Sequence, residues 1–334
     1  MAYITLNKNR FFNNLDIISK RTYGKDKIAL VLKDNAYGHG LLEVARMAKE
    51  YGIKKAVVRS CAEAKKVEDF FEYVLVLAEL PSDEIYSEKI HYTINDLKDI
   101  KKIPKTTLVE LKVNTGMNRN GIQMHELDLA MSMIEEQGLK INAVFTHYSC
   151  ADEVNDYYDF QKKNFEKIKE QCSKNLSFHS CNSAALFRED DFNEDMVRVG
   201  IAAYGCMELP EELDNGANKL EPILSVYAKK IATRHLKKGQ SVGYGATFTA
   251  EDDCIVSSYD FGYADGFIRL CSHIHTTPNR VQIVGRISMD NSSFLSEENE
   301  LLVFDDARVL ADNANTISYE VLTSLKASLQ REIV

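Results

Sequence analysis

Between Ile28 and Val199 the chain repeats one unit, a short apolar run followed by a stretch with helical spacing. The runs are Ile28 to Leu32, Ala56 to Arg59, Val74 to Leu77, Ile90 to Thr93, Leu108 to Val113, Ile141 to Thr146, Leu176 to His179 and Val197 to Val199. Eight strand-then-helix units in succession are the signature of a parallel (β/α)8 barrel. The helical stretches agree with it. Leu41, Val44, Ala45 and Ala48 precede a stop at Gly52, and Leu127, Ala130, Met131 and Ile134 precede one at Gly138, so each lays an apolar stripe on the barrel's outer face. A strand from Tyr3 to Leu6 and a helix from Arg10 to Lys20 lead in.

The alternation ends in an acidic, turn-rich stretch from Glu208 to Lys219. Beyond it apolar residues recur at every second position, first Leu224, Val226 and Ala228, later Val281, Ile283, Gly285 and Ile287, with glycines between. At 334 residues the chain exceeds what one core grows to, so two domains are expected. The fold class is α/β, a TIM-type barrel over 1–215 followed by a mainly antiparallel β domain over 216–334, with residues 1–6 available to pair with the latter.

A net charge of −9 argues against nucleic acid or an anionic membrane as the main partner. No apolar run reaches the ~18 residues of a membrane span, and the N-terminus lacks a signal-peptide core, so a cytoplasmic location is expected. Seven scattered cysteines without a paired spacing fit reduced thiols. His273 and His275 are the nearest approach to metal spacing, and we read both as solvated loop histidines and expect no metal.

Chemistry in such a barrel sits on the loops at the C-terminal ends of its strands, with phosphate often held after strands seven and eight. The first barrel strand carries Lys33 to that mouth and breaks into a loop with two glycines. After strand seven comes Asn182-Ser183, offering a hydroxyl, and after strand eight Gly200-Ile201, whose amides a phosphate could approach closely. Each feature has a plainer reading: a lysine snorkelling to water, a helix-capping serine, a turn glycine. Arg198 could be a rim arginine paired with a carboxylate and His147 a structural histidine.

The motif Lys33-Asp-Asn-Ala-Tyr-Gly-His-Gly resembles the pyridoxal-phosphate lysine motif of bacterial alanine racemases, fold-type III enzymes, and further segments resemble that family in the same order. The resemblance implies pyridoxal 5'-phosphate as cofactor, held by Lys33 as a Schiff base. Tyr37, Ser183, Gly200, Ile201 and Tyr319 would lie around its phosphate, with Asn182 in support, His147 beside its ring and Arg198 at its pyridine nitrogen. Lys-Val-Asn-Thr-Gly-Met-Asn-Arg makes Arg119 the grip on the substrate carboxylate and Lys112 a lysine that is often carbamylated in the family. Asn114 stands where aspartate is usual, and a lost charge there could alter how Lys112 is held. In the β domain, Gly-Tyr244-Gly resembles the segment bearing a second base. Tyr263, with Arg269, resembles the access corridor, and Met289-Asp290 a pocket wall.

These matches imply interconversion of L- and D-alanine, which would supply D-alanine for peptidoglycan. Racemisation needs a proton carrier on each face of the α-carbon, Lys33 on one and Tyr244 on the other. A phenol with a pKa of about 10 needs cationic neighbours to act as a base near neutrality, and His147 and Arg198 are the candidates. The family also implies a homodimer with shared sites, Tyr244 and Met289 coming from the second copy. Alternatives are a broad-specificity or serine racemase and a non-catalytic pyridoxal-phosphate carrier. Residues 220–334 with Tyr244 speak against the carrier.

Overall fold

The computed structural model describes residues 1–81 and 87–334. Eight parallel strands form one sheet: Ile28–Val31, Lys55–Val58, Tyr73–Val76, Ile90–Ile94, Leu108–Asn114, Lys140–Phe145, Ser177–His179 and Val197–Val199. They pair in chain order, and the last returns to the first with Val197 opposite Ile28. Among the described residues no ladder joins the seventh strand to the eighth. Asp195 N–H to the Phe178 carbonyl (3.2 Å) and Arg198 N–H to that of Cys181 (3.0 Å) bridge this seam, so the barrel is nearly closed.

The helices outside follow from their stripes. Lys8–Arg21, capped by the Asn7 side chain, buries Phe11, Leu15 and Ile18, and Leu127–Gln137 buries Leu127, Ala130 and Ile134 before Gly138 ends it in a left-handed conformation. Inside, the barrel is divided. Ala29, Val31, Val57 and Leu75 make one half apolar, as barrel interiors usually are. The other half holds buried His91, Glu110, His179 and Arg198.

A second sheet places Ser292–Phe294, Cys254–Tyr259, Leu224–Leu236, Tyr3–Leu6 and Gln330–Ile333 side by side, with Glu300–Phe304 also on the long strand. Tyr3–Leu6 runs antiparallel to Leu224–Tyr227 and parallel to Gln330–Ile333, so both ends of the chain lie in this sheet.

Two expectations are corrected here. The segment from Val281 to Ile287 is not a continuous strand: it makes only isolated bridges at Gln282 and Ile283, because Gly285 turns to φ +69° and breaks the pleat. His275 is not solvated either. It is buried, with Nε2 2.8 Å from the Val303 carbonyl and Phe267 edge-on to its ring, while His273 is exposed.

No helix among the described residues is long and apolar enough to cross a membrane. All seven cysteines are free thiols.

Candidate active site

Lys33 follows directly on the first barrel strand, but what comes next is not the irregular loop that its glycines suggested. Asp34, Asn35, Ala36 and Tyr37 take φ of 54°, 57°, 53° and 51°, one turn of left-handed helix ending at Gly38. Each L-residue there costs roughly 1–2 kcal/mol, so the turn must be held from outside. Glu63 accepts from Asp34 N–H at 2.7 Å, and Asn35 Oδ1 accepts from Leu41 N–H at 2.9 Å. Arg331, from the C-terminal strand, donates through Nε (3.0 Å) and Nη2 (2.8 Å) to the Gly38 carbonyl. Gly38 itself is obligatory, since a Cβ there would sit 1.9 Å from the Leu322 carbonyl oxygen. The turn swings the Tyr37 ring back toward the cavity, between Tyr204 and Tyr319.

Asn182, not Ser183, caps the helix Ser183–Arg188, accepting from Ala185 N–H. Ser183 Oγ is thereby free to accept from Gly200 N–H at 3.2 Å and Ala202 N–H at 3.4 Å, which ties loops seven and eight together. A Cβ on Gly200 would stand 2.9 Å from the Tyr37 ring and hydroxyl, so the glycine is what lets Tyr37 close over this corner. With the hydroxyls of Tyr37 and Ser183, the Gly200–Ile201 backbone lines a corner of the cavity suited to an anion.

Arg198 is buried and, among the described residues, makes no direct carboxylate pair, so the rim-arginine reading fails. Its guanidinium donates to the carbonyls of Thr146 (2.7 Å), Ser180 (3.1 Å) and His179 (3.2 Å), to His179 Nδ1, and lies 3.4 Å from His147 Nδ1. Burial, and then the charges of Arg198, Lys112, Arg119 and Lys33, press the His147 pKa well below the ordinary imidazole range. A neutral His147 lends no positive charge to a phenol, which corrects that expectation and leaves the guanidinium groups to do so. Burial, with Arg198, Arg119 and Lys33, pushes Lys112 down to about 8. Among the described residues Asn114 makes no hydrogen bond to Lys112. Its Oδ1 accepts from the N–H groups of Gly116 (3.1 Å) and Asn118 (2.9 Å), shaping the loop that presents Arg119.

Lys33, Tyr37, Lys112, Arg119, His147, Asn182, Ser183, Arg198, Gly200, Ile201 and Tyr319 line one cavity of about 770 Å³ at the C-terminal mouth of the barrel. Asp34, Asp152 and Glu320 join them, groups to which the sequence reading assigned no role. Tyr244, Met289, Tyr263 and Asp290 are not among the lining residues. Tyr244 is 70% exposed, in a shallow depression with Ile231, Gly243 and Arg286. Met289 and Tyr263 are exposed too, and Asp290 faces a groove beside Tyr3 and Lys229. The sequence reading also missed Glu110, His91 and Tyr73 on the barrel floor; the signal was there in the alternation Glu110, Lys112, Asn114, which puts three polar side chains on one inward face.

Comparison with known proteins agrees over the full length. Residues 6–208 match the family model described as alanine racemase, N-terminal domain, and residues 223–333 that described as alanine racemase, C-terminal domain. The alanine racemase of a Nitratiruptor species is 43% identical over 342 residues, covering 99% of each chain. The solved alanine racemase from E. faecalis is 25% identical with a TM-score of 0.90, covering 100% of this chain and 98% of that one. A histidine racemase from Leuconostoc mesenteroides subsp. sake is 27% identical with a TM-score of 0.86 and the same coverage. With a divided barrel, a lysine mouth and both halves matched, this chain belongs to the alanine racemase family.

Proposed function

We propose that the chain interconverts L-alanine and D-alanine with pyridoxal 5'-phosphate held in the barrel cavity, and that two copies complete each other's sites. The observation that carries this reading is the gathering of a lysine amine, an anion cup and two guanidinium groups in one cavity, in a chain of this family. The cup fits the phosphate of that cofactor: hydroxyls of Tyr37 and Ser183, amides at Gly200 and Ile201, Tyr319 alongside, and a corner that only glycine leaves open. When bound, the cofactor supplies the electron sink that lets an amino acid release its α-proton.

Lys33 would hold the cofactor, and its amine would carry a proton at one face of the α-carbon. Tyr244, lent by a second copy, carries it at the other. Its exposure on its own chain, away from that chain's cavity, supports the sharing. Arg198 and Arg119 provide the positive surroundings that a phenol needs to act as a base. Arg198 would face the cofactor's ring nitrogen, and its guanidinium, which holds its proton, would not protonate it. Arg119 grips the substrate carboxylate with a two-pronged donor, and His147 packs beside the ring.

Lys112, with an amine down at about 8, is neutral often enough to add carbon dioxide, and a ¹³C-bicarbonate NMR resonance absent from Lys112→Ala is the check. Met289, Tyr263 and Asp290, with the copy that lends Tyr244, wall the pocket. The two units of this reading are 1–215 and 216–334, with Tyr3–Leu6 joined to the second. The product serves as a peptidoglycan building block in the cytoplasm.

Purified protein given pyridoxal phosphate should turn yellow and convert L-alanine into its mirror image, followed by circular dichroism. A colourless protein, or one that leaves L-alanine unchanged, overturns the reading. The Leuconostoc histidine racemase has a closely similar fold, so the pocket walls rather than the barrel select the side chain. Bulk at Met289, Tyr263 and Tyr319 favours a small one; faster turnover of L-serine than of L-alanine would select a serine or broad-specificity racemase instead.

A further inference from the structure

The polar half of the barrel floor is built around one carboxylate. Glu110 is fully buried on the strand Leu108–Asn114, one inward position below Lys112. It accepts from Tyr73 Oη (2.6 Å), from Asn142 Nδ2 (3.1 Å) and from His179 Nε2 (2.8 Å), and His91 Nδ1 lies 3.3 Å away. These partners stand on four other strands. A buried carboxylate costs several kcal/mol in lost hydration, where the facing half of the same floor is filled by alanine, valine and leucine.

On its other side, His179 Nδ1 accepts from Arg198 Nη1. The His179 ring is stacked on Phe145 at 4.7 Å and 13°, which removes its freedom to turn. An imidazole can accept at Nδ1 only if its proton sits on Nε2, and Glu110 is the group that holds it there. Among the described residues every other acceptor of Arg198 is neutral. Glu110, one imidazole away, and Glu194, which binds the amides of Ser180 and Cys181, are the carboxylates whose charge reaches the guanidinium.

We propose that Glu110 is a positioning residue that acts through His179: it fixes the Nε2–H tautomer and so holds Arg198 in the orientation it presents to the cavity. Glutamine at this position keeps the shape but can turn an N–H toward His179 Nε2, which pushes the ring proton to Nδ1 and sets two donors against each other at Arg198. Burial alone opposes ionisation of Glu110, but hydrogen bonding, first from His179, outweighs it and holds the carboxyl well below its usual range, so the carboxylate is the resident form. The catalytic consequence rests on the racemase reading above; the tautomer does not.

Two measurements on the full-length protein separate the two. In unmodified protein, ¹⁵N NMR of the histidine side chains, with His179→Gln for assignment, should show His179 neutral and protonated at Nε2. A proton on Nδ1, or a doubly protonated ring, overturns the proposal whatever the reaction proves to be, and needs no variant of Glu110 to fold. In Glu110→Gln the His179 signals should move toward the Nδ1–H form. The kcat should fall roughly 10–100-fold with KM changed less than about threefold, as for partners that orient a working group from behind. Glu110→Gln added to His179→Gln should then cost nothing further. A Glu110→Gln protein that melts earlier but keeps its His179 tautomer and its kcat assigns Glu110 to stability alone and sinks the idea.

Discussion

Gly200 shows how one missing side chain shapes the site. A methyl group there would stand 2.9 Å from the Tyr37 ring and hydroxyl, too close for any rotamer of a ring already held between Tyr204 and Tyr319. Gly200→Ala should therefore displace Tyr37 and weaken pyridoxal-phosphate binding by about 1–3 kcal/mol, roughly 5–150-fold in Kd by absorbance titration, with little change in melting temperature. Unchanged affinity would mean that Tyr37 takes no part in the cup. At this same scale the sequence was readable where a residue's surroundings are local, as for Asn182 capping its own helix. It was unreadable for His275, whose partner lies 28 positions away; for Glu110 the alternation marks an inward side chain but not its partner His179, 69 positions away.

The left-handed turn behind Lys33 is the element whose geometry was least visible. Asp and Asn visit this conformation readily, but nothing in Ala36 or Tyr37 favours a positive φ. The turn exists because Glu63, from the helix Cys61–Val67, and Arg331, from the far end of the chain, bind its backbone. Arg331→Ala removes both guanidinium bonds to the Gly38 carbonyl. It should lower unfolding free energy by about 1–3 kcal/mol in urea and loosen cofactor binding as well. Loss of stability without loss of affinity would show the clamp to be structural only. By contrast the eight barrel strands were legible to within a residue or so at their ends, since most are local apolar runs with little exposed surface. The Val281–Ile287 pattern misled because its period of two is interrupted by one backbone reversal at Gly285.

For the whole molecule, pH and association are the telling variables. Burial lowers His39 to about 4, and His147, His179 and His275 shift the same way. The unfolded chain, with histidines near 6.5, binds more protons than the folded one between pH 6.5 and 4, so stability must fall as pH drops through that window. His39 by itself should account for up to about 3 kcal/mol between these limits, seen as a falling urea midpoint. A midpoint flat from pH 7 to 4.5 would mean that these imidazoles are not buried neutral. Association is tested by co-expressing Lys33→Ala with Tyr244→Phe chains. Each homodimer should be inactive while mixed dimers regain part of the activity through one intact site. A mixture as inactive as its parents would place both proton carriers in the same chain.

Strand and helix order, the change from barrel to β sheet, and most of the residues at the barrel's mouth were read from local pattern and motif, because periodicity and loop chemistry act over a few residues. The left-handed turn, the neutral state of His147 and the carboxylate on the barrel floor were settled only in three dimensions. A strained backbone and a buried charge are each stable only when groups distant in the chain arrive to hold them, and no local stretch of sequence records that arrival.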